Sequence, residues 1–113
     1  MLGFELVHVG LNCESAEEAA AVAKKFSALF GWPVKEGNSS DFAGAYIEAM
    51  KGAGKGKNGH IAVATNSIPR ARAYLEAQGF AFDESSLKLK NGKPNVVYLA
   101  DEIGGFAIHL IQK

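Results

Sequence analysis

A chain of 113 residues, 48% hydrophobic and 21% charged, has the size and composition of one globular domain with its own core. Twelve basic residues balance twelve acidic ones, so no net field steers the chain toward nucleic acid or an anionic membrane. No apolar run approaches the roughly 20 residues that a bilayer crossing needs.

The first residues lack the basic and apolar regions of a signal peptide. Cys13 is the only cysteine, which excludes an internal disulfide and makes a cytoplasmic setting the expectation. The first strand-like run covers 4–11 and carries His8 among Leu6, Val7, Val9 and Leu11. Ser15, with Glu18 three residues on, has capping-box spacing and predicts a helix over Ala16–Phe30. Its apolar face is read as Val22, Phe26, Leu29 and Phe30, and Gly31 stops it ahead of Trp32. Short strands follow at Val34–Glu36, Ser40–Ala43 and 45–50, the last with Glu48 among apolar neighbours.

The glycine- and lysine-rich stretch 51–59 reads as a flexible linker. A second strand-like run, 60–64, opens on His60. Ser67 and Pro69 then predict a helix over 68–78, closed by Gly79 ahead of Phe80. Three more strands are expected at 81–83, 96–99 and 106–111, with Lys90-Asn91-Gly92-Lys93 as a turn. The last carries His109.

The chain is therefore written twice. Residues 8–15 align with residues 60–67, 52 positions further on, and each half reads strand, helix, three strands. His8 and His60 hold equivalent places on the opening strands. Glu48 and His109 do so on the closing strands, in matching Ile47-Glu48 and Ile108-His109 contexts. A polar group on a sheet face bordering the core is costly unless it is paired or metal-bound. Two halves facing one another would unite all four groups, and three imidazoles with a carboxylate suit a first-row divalent ion.

The runs His8-Val9-Gly10-Leu11, Tyr46-Ile47-Glu48, Gly59-His60-Ile61-Ala62 and Gly104-Gly105-Phe106-Ala107-Ile108-His109-Leu110, in this order, resemble the vicinal oxygen chelate superfamily. Glyoxalase I, extradiol dioxygenases, fosfomycin-resistance proteins and methylmalonyl-CoA epimerase are members. The runs 26–31, 35–40 and 101–106 are similar to a domain attached to bacterial keto-hydroxyglutarate and keto-deoxy-phosphogluconate aldolases. The aldolase itself is a larger barrel that 113 residues cannot hold.

The resemblance implies an α+β fold: two tandem βαβββ modules, about 1–50 and about 60–113, forming a curved mixed sheet with a central cleft. It implies His8, Glu48, His60 and His109 as metal ligands, with His109 and Glu48 also as catalytic groups. Four protein ligands leave room for substrate on Ni²⁺, Mn²⁺, Fe²⁺ or Co²⁺ more readily than on tetrahedral Zn²⁺. Asn38, Ser39, Ser40 and Tyr46 are the candidates for substrate contact.

The expected function is that of a glyoxalase-like metal-dependent lyase or isomerase acting on a small carbonyl, hydroxy-acid or keto-acid substrate. The alternative is a non-catalytic ligand-binding module accessory to an aldolase. Many metal-dependent members carry glutamate on the final strand; His109 stands there instead, which argues against glyoxalase I activity itself. The resemblance favours a homodimer, and leaves open whether the halves pair within one chain or between two.

Overall fold

The computed structural model describes residues 1–52 and 54–113, so residue 53 of the expected linker lies outside the described residues. In chain order the elements are β1 (Glu5–Asn12), α1 (Ala16–Phe30), β2 (Val34–Glu36), β3 (Ser40–Ala43), β4 (Ile47–Met50), β5 (Gly59–Thr65), α2 (Ile68–Ala77), β6 (Phe82–Lys90), β7 (Lys93–Leu99) and β8 (Phe106–Gln112). The eight strands form one mixed sheet in the order β2-β3-β4-β1-β5-β8-β7-β6. Its centre is the antiparallel pair β1 and β5. Each has the last strand of its own half in parallel beside it, β4 next to β1 and β8 next to β5. That order reads the same from either end, so an approximate two-fold axis passes between β1 and β5.

Local chemistry sets the helices. The Ser15 hydroxyl accepts from the Glu18 N–H at 3.1 Å, and the Glu18 carboxylate accepts from the Glu14 N–H. Gly31 closes α1 at φ 75, its N–H bonded to Ser27 O. At α2 the Ser67 hydroxyl accepts from the Arg70 N–H, and Pro69 sits in the first turn. Caps of this kind contribute about 1 kcal/mol each.

Both helices pack on one face of the sheet. Ile68 and Ala71 of α2 meet Phe82, Val97 and Leu110, while Ala19 of α1 meets Cys13 and Ala49. The expected apolar face of α1 is shifted: Ala19 and Ala23 are buried, whereas Leu29 and Phe30 are 70% and 58% exposed. Alanines let the helix approach the sheet closely. Because successive strand residues alternate faces, burying Ala49, Val63, Val97 and Leu110 under the helices turns Glu48, Ala62, Tyr98 and His109 to the opposite face.

The second half departs from its expected bounds at β6 and β7. These form one long hairpin closed by Asn91 (φ 54) and Gly92 (φ 76). The stretch 54–58 between the halves is tied down by hydrogen bonds. Asn12 accepts from the Gly54 N–H and donates to Gly56 O, while the Lys57 and Asn58 N–H groups donate to Glu102 and to Gly105 O.

Candidate metal centre

Register places the polar groups in two rows on the open face of the sheet. One row runs Phe42, Glu48, Gly10, His60, Ala107 across β3, β4, β1, β5 and β8. The other runs His8, Ala62, His109, Tyr98 across β1, β5, β8 and β7. The approximate two-fold exchanges the rows, matching His8 with His60, Glu48 with His109, Gly10 with Ala62 and Phe42 with Tyr98. The four candidate ligands thus come from the four central strands.

Glu48, His8 and His60 meet directly. His60 Nε2 lies 3.0 Å from Glu48 Oε1, His8 Nε2 lies 3.3 Å from the same oxygen, and the two nitrogens are 3.2 Å apart. One ligand atom from each of His8, His60 and His109 lies within 4.8 Å of the others. His60 and His109 are buried, at 7% and 6% exposure.

Each Nε2 carries at most one hydrogen, and the carboxylate oxygen only accepts. With both nitrogens protonated, both donate to Glu48 Oε1, and the 3.2 Å His8–His60 edge is then a contact between two donors with no hydrogen bond of its own. A cation bound by all three atoms would make every contact favourable. Ligands about 2.0–2.1 Å from one ion, at angles between octahedral and tetrahedral, stand about 2.9–3.4 Å apart, which covers all three edges.

A second observation agrees. Among the described residues, His109 Nδ1 is the one buried side-chain nitrogen or oxygen without a hydrogen-bond partner. Leaving such an atom bare costs about 1–3 kcal/mol, a penalty that coordination or substrate contact would offset. The donor set therefore fits a divalent first-row ion.

Electrostatics separates the two closing-strand groups. Hydrogen bonds from His60, then from His8 and Ser40, hold the Glu48 carboxyl well below the usual carboxylate range, against the opposing effect of burial. Burial, with His60 and His8 nearby, pushes the His109 imidazole down to about 4, so it is neutral near pH 7. Burial also raises the Tyr98 phenol and the Cys13 thiol, and Cys13 packs against Ala19 and Ala49 as a small hydrophobe.

Of the candidates for substrate contact, Ser40 meets this cluster. It is buried at the start of β3, and its hydroxyl donates to Glu48 Oε2 at 2.7 Å. Asn38 and Ser39 are exposed in the preceding loop. Tyr46 is 55% exposed, with its ring 5.0 Å from that of Trp32. Sequence reasoning missed the aromatic walls. Phe42 meets the His8 ring edge-on at 5.6 Å, and Tyr98 lies 4.7 Å from the His109 ring, with the Lys55 ammonium 4.7 Å from its centre. Both aromatics stand directly across from a closing-strand ligand, a relation that appears only once the register is known. An apolar hollow of about 230 Å³, lined by Val63, Ile108 and Leu110 among others, belongs to the helix-bearing face and contains none of the candidate ligands.

No family model and no curated protein matches the chain. Solved structures do. A variant methylmalonyl-CoA epimerase of Streptomyces coelicolor in complex with 2-nitronate-propionyl-CoA superposes with a TM-score of 0.63 at 17% identity, over 96% of this chain and 94% of that one. A hypothetical protein from Bacillus halodurans C-125 reaches 0.65 at 17%, over 98% and 95%. The methylmalonyl-CoA epimerase of Mycobacterium tuberculosis reaches 0.63 at 14%, over 95% and 86%. The fold is the vicinal oxygen chelate fold. At these identities the likeness is one of architecture, and the function has to be argued from the centre itself.

Proposed function

We propose that this chain is a metal-dependent enzyme of the isomerase or lyase type, moving a proton on the carbon next to a carbonyl in a small hydroxy- or keto-acid or related compound. The observation that carries the reading is the triangle of His8 Nε2, His60 Nε2 and Glu48 Oε1, whose edges of 3.0–3.3 Å match ligands shared by one ion. His8, Glu48 and His60 would hold the ion and His109 would complete the set. A bound divalent ion would act as a Lewis acid, polarising a substrate carbonyl and making the neighbouring C–H more acidic.

The chain's own groups have distinct tasks. Glu48 is anionic, and both its oxygens are engaged, Oε1 by the two imidazoles and Oε2 by Ser40. That makes it a ligand held in one orientation. His109 is neutral near pH 7 and its Nδ1 has no hydrogen-bond partner, so that nitrogen is available to the ion or, where the other three hold the ion, to a proton of the substrate. Phe42 and Tyr98 flank the centre, beside His8 and His109 respectively. Epimerases among the structural neighbours favour the isomerase side of the reading, since epimerisation is itself proton transfer at carbon.

The test is hydrogen–deuterium exchange followed by proton NMR in D₂O, with Mn²⁺-, Co²⁺- or Ni²⁺-loaded protein and a panel of 2-hydroxy acids, 2-keto acids and acyl thioesters. Exchange at the carbon beside the carbonyl, lost in His109→Gln and on chelation, is expected. A chain that holds one ion, binds sugar acids and exchanges no proton is instead the accessory module implied by the aldolase-attached resemblance. Exposed Leu29, Phe30 and Tyr46 around Trp32 support a homodimer, which sedimentation checks. The single buried cysteine supports a cytoplasmic setting.

A further inference from the structure

The two rows across the sheet are matched position by position, yet they differ at their centres. Gly10 lies between Glu48 and His60, and its counterpart Ala62 lies between His8 and His109. Neighbouring strands are about 4.7–4.9 Å apart, so side chains two strands apart start roughly 10 Å from one another. They can touch only by leaning over the residue between them.

Across Gly10 they do touch. Glu48 Oε1 and His60 Nε2 are 3.0 Å apart. A Cβ built on Gly10 would fall on the His60 ring, overlapping Cε1 and Nδ1 and coming within 2.6 Å of Nε2. The His60 imidazole therefore occupies the space a side chain at position 10 would need. Across Ala62, where a Cβ is present, the rings of His8 and His109 are held 6.1 Å apart, centre to centre. Ala62 itself is fully buried. One chain thus contains both versions of the same local arrangement: glycine where an imidazole lies directly over the intervening strand, and alanine where the flanking rings, 6.1 Å apart centre to centre, leave room for the methyl.

We infer that Gly10 is a positioning residue of the metal centre, its missing Cβ being what lets His60 lie across β1 and meet Glu48 and His8. The backbone at Gly10 imposes no special demand, since its φ lies outside the left-handed region where glycine is favoured. Space alone requires glycine here. The two-fold counterpart, Ala62, carries its methyl between His8 and His109, whose rings do not lie over it as the His60 ring lies over Gly10.

The inference rests on the proposed metal centre for its affinity readout only; the Glu48–His60 contact is a property of the metal-free chain. The experiment compares Gly10→Ala and Ala62→Gly with the unaltered protein in two measurements. Imidazole ¹⁵N and proton NMR of metal-free protein reads the His60–Glu48 hydrogen bond, and equilibrium dialysis against Co²⁺ reads affinity. Gly10→Ala is expected to lose the hydrogen-bonded His60 N–H signal and to weaken Co²⁺ binding by about 10–100-fold, while Ala62→Gly keeps both. Retention of the signal and the affinity in Gly10→Ala would overturn the inference.

Two further outcomes are also decisive. If the unaltered protein takes up no Co²⁺, the metal reading fails, and the NMR arm still decides the role of Gly10. If Gly10→Ala does not fold, adding His60→Ala removes the ring the new methyl would strike. Recovery of the fold in that double variant supports the inference, and failure to recover it contradicts it.

Discussion

His8 and His60, 52 positions apart in the chain, face each other across the axis between β1 and β5 with their Nε2 atoms 3.2 Å apart. Each is the other's counterpart in the repeat. An approximate two-fold axis places equivalent groups on opposite sides of itself, so a ligand near it on the first strand of one half meets its twin from the other. Glu48 and His109 are the second such pair, where the repeat has diverged into a carboxylate and an imidazole.

That divergence has a consequence in pH. The His109 imidazole is held at about 4 when folded, against an ordinary 6.5. Between these values the unfolded chain binds the proton and the folded one does not, so stability rises with pH through this window. The contribution is complete above about pH 6.5 and is lost as pH falls toward 4, on the order of 3 kcal/mol in metal-free protein. Glu48, depressed in the fold, adds a separate loss below its ordinary 4.5. Urea unfolding of metal-free protein from pH 7.5 to 4 should show the first slope, flattened in His109→Leu. An unchanged slope in that variant would assign it to other groups.

Ser40 acts on the centre through Glu48. Ser40→Ala removes the 2.7 Å hydrogen bond to Glu48 Oε2 and leaves the carboxylate free to turn. Divalent ion affinity should weaken by about tenfold while the circular dichroism spectrum stays the same, because outer partners of ligands tune affinity on that scale. Equilibrium dialysis measures it, and an unaltered affinity would remove Ser40 from the account.

The core under α2 makes a contrasting prediction. Ile68 is fully buried, and its N–H donates to Gln112. Ile68→Ala should cost about 2–5 kcal/mol of unfolding free energy. Ion uptake below the new melting temperature should be unaffected, since Ile68 lies on the face opposite the ligands. Calorimetry and dialysis on the same preparation separate the two effects.

Asn12 carries the connection between the halves, accepting from Gly54 and donating to Gly56. Asn12→Ala should speed amide hydrogen exchange at Gly54, Lys55 and Gly56 with little change in the strands, as mass-spectrometric exchange would show. Equal protection in both proteins would mean that Lys57 and Asn58 alone hold this stretch.

Much of this was legible in the chain before its coordinates. Ser15 and Gly31 mark the ends of α1 because capping is local chemistry. The 8–15 and 60–67 alignment pairs His8 with His60, and the matching Ile47-Glu48 and Ile108-His109 contexts pair Glu48 with His109. What was not legible depends on distance across the sheet. Leu29 and Phe30 have the period of a buried face, yet α1 turns its Ala19 and Ala23 side inward and leaves them exposed. The polar Glu84-Ser85-Ser86 segment hides most of β6, an edge strand that joins the core only through Phe82 and Leu87. Phe42 and Tyr98 gain their meaning only when register sets them opposite Glu48 and His109. Gly10 did carry a signal, a small residue two places after a histidine and repeated as Ala62, but its meaning lies in the His60 ring above it.

The central claim is that His8, Glu48 and His60, with His109, hold one divalent ion. Its most direct test is metal analysis by mass spectrometry after dialysis of chelator-stripped protein against Mn²⁺, Co²⁺, Ni²⁺ or Zn²⁺, beside folded His8→Ala and His60→Ala variants. The account predicts one ion per chain in the unaltered protein and substantially less in either variant. A folded protein that retains none of these ions, or retains them equally after loss of His8 or His60, would contradict it.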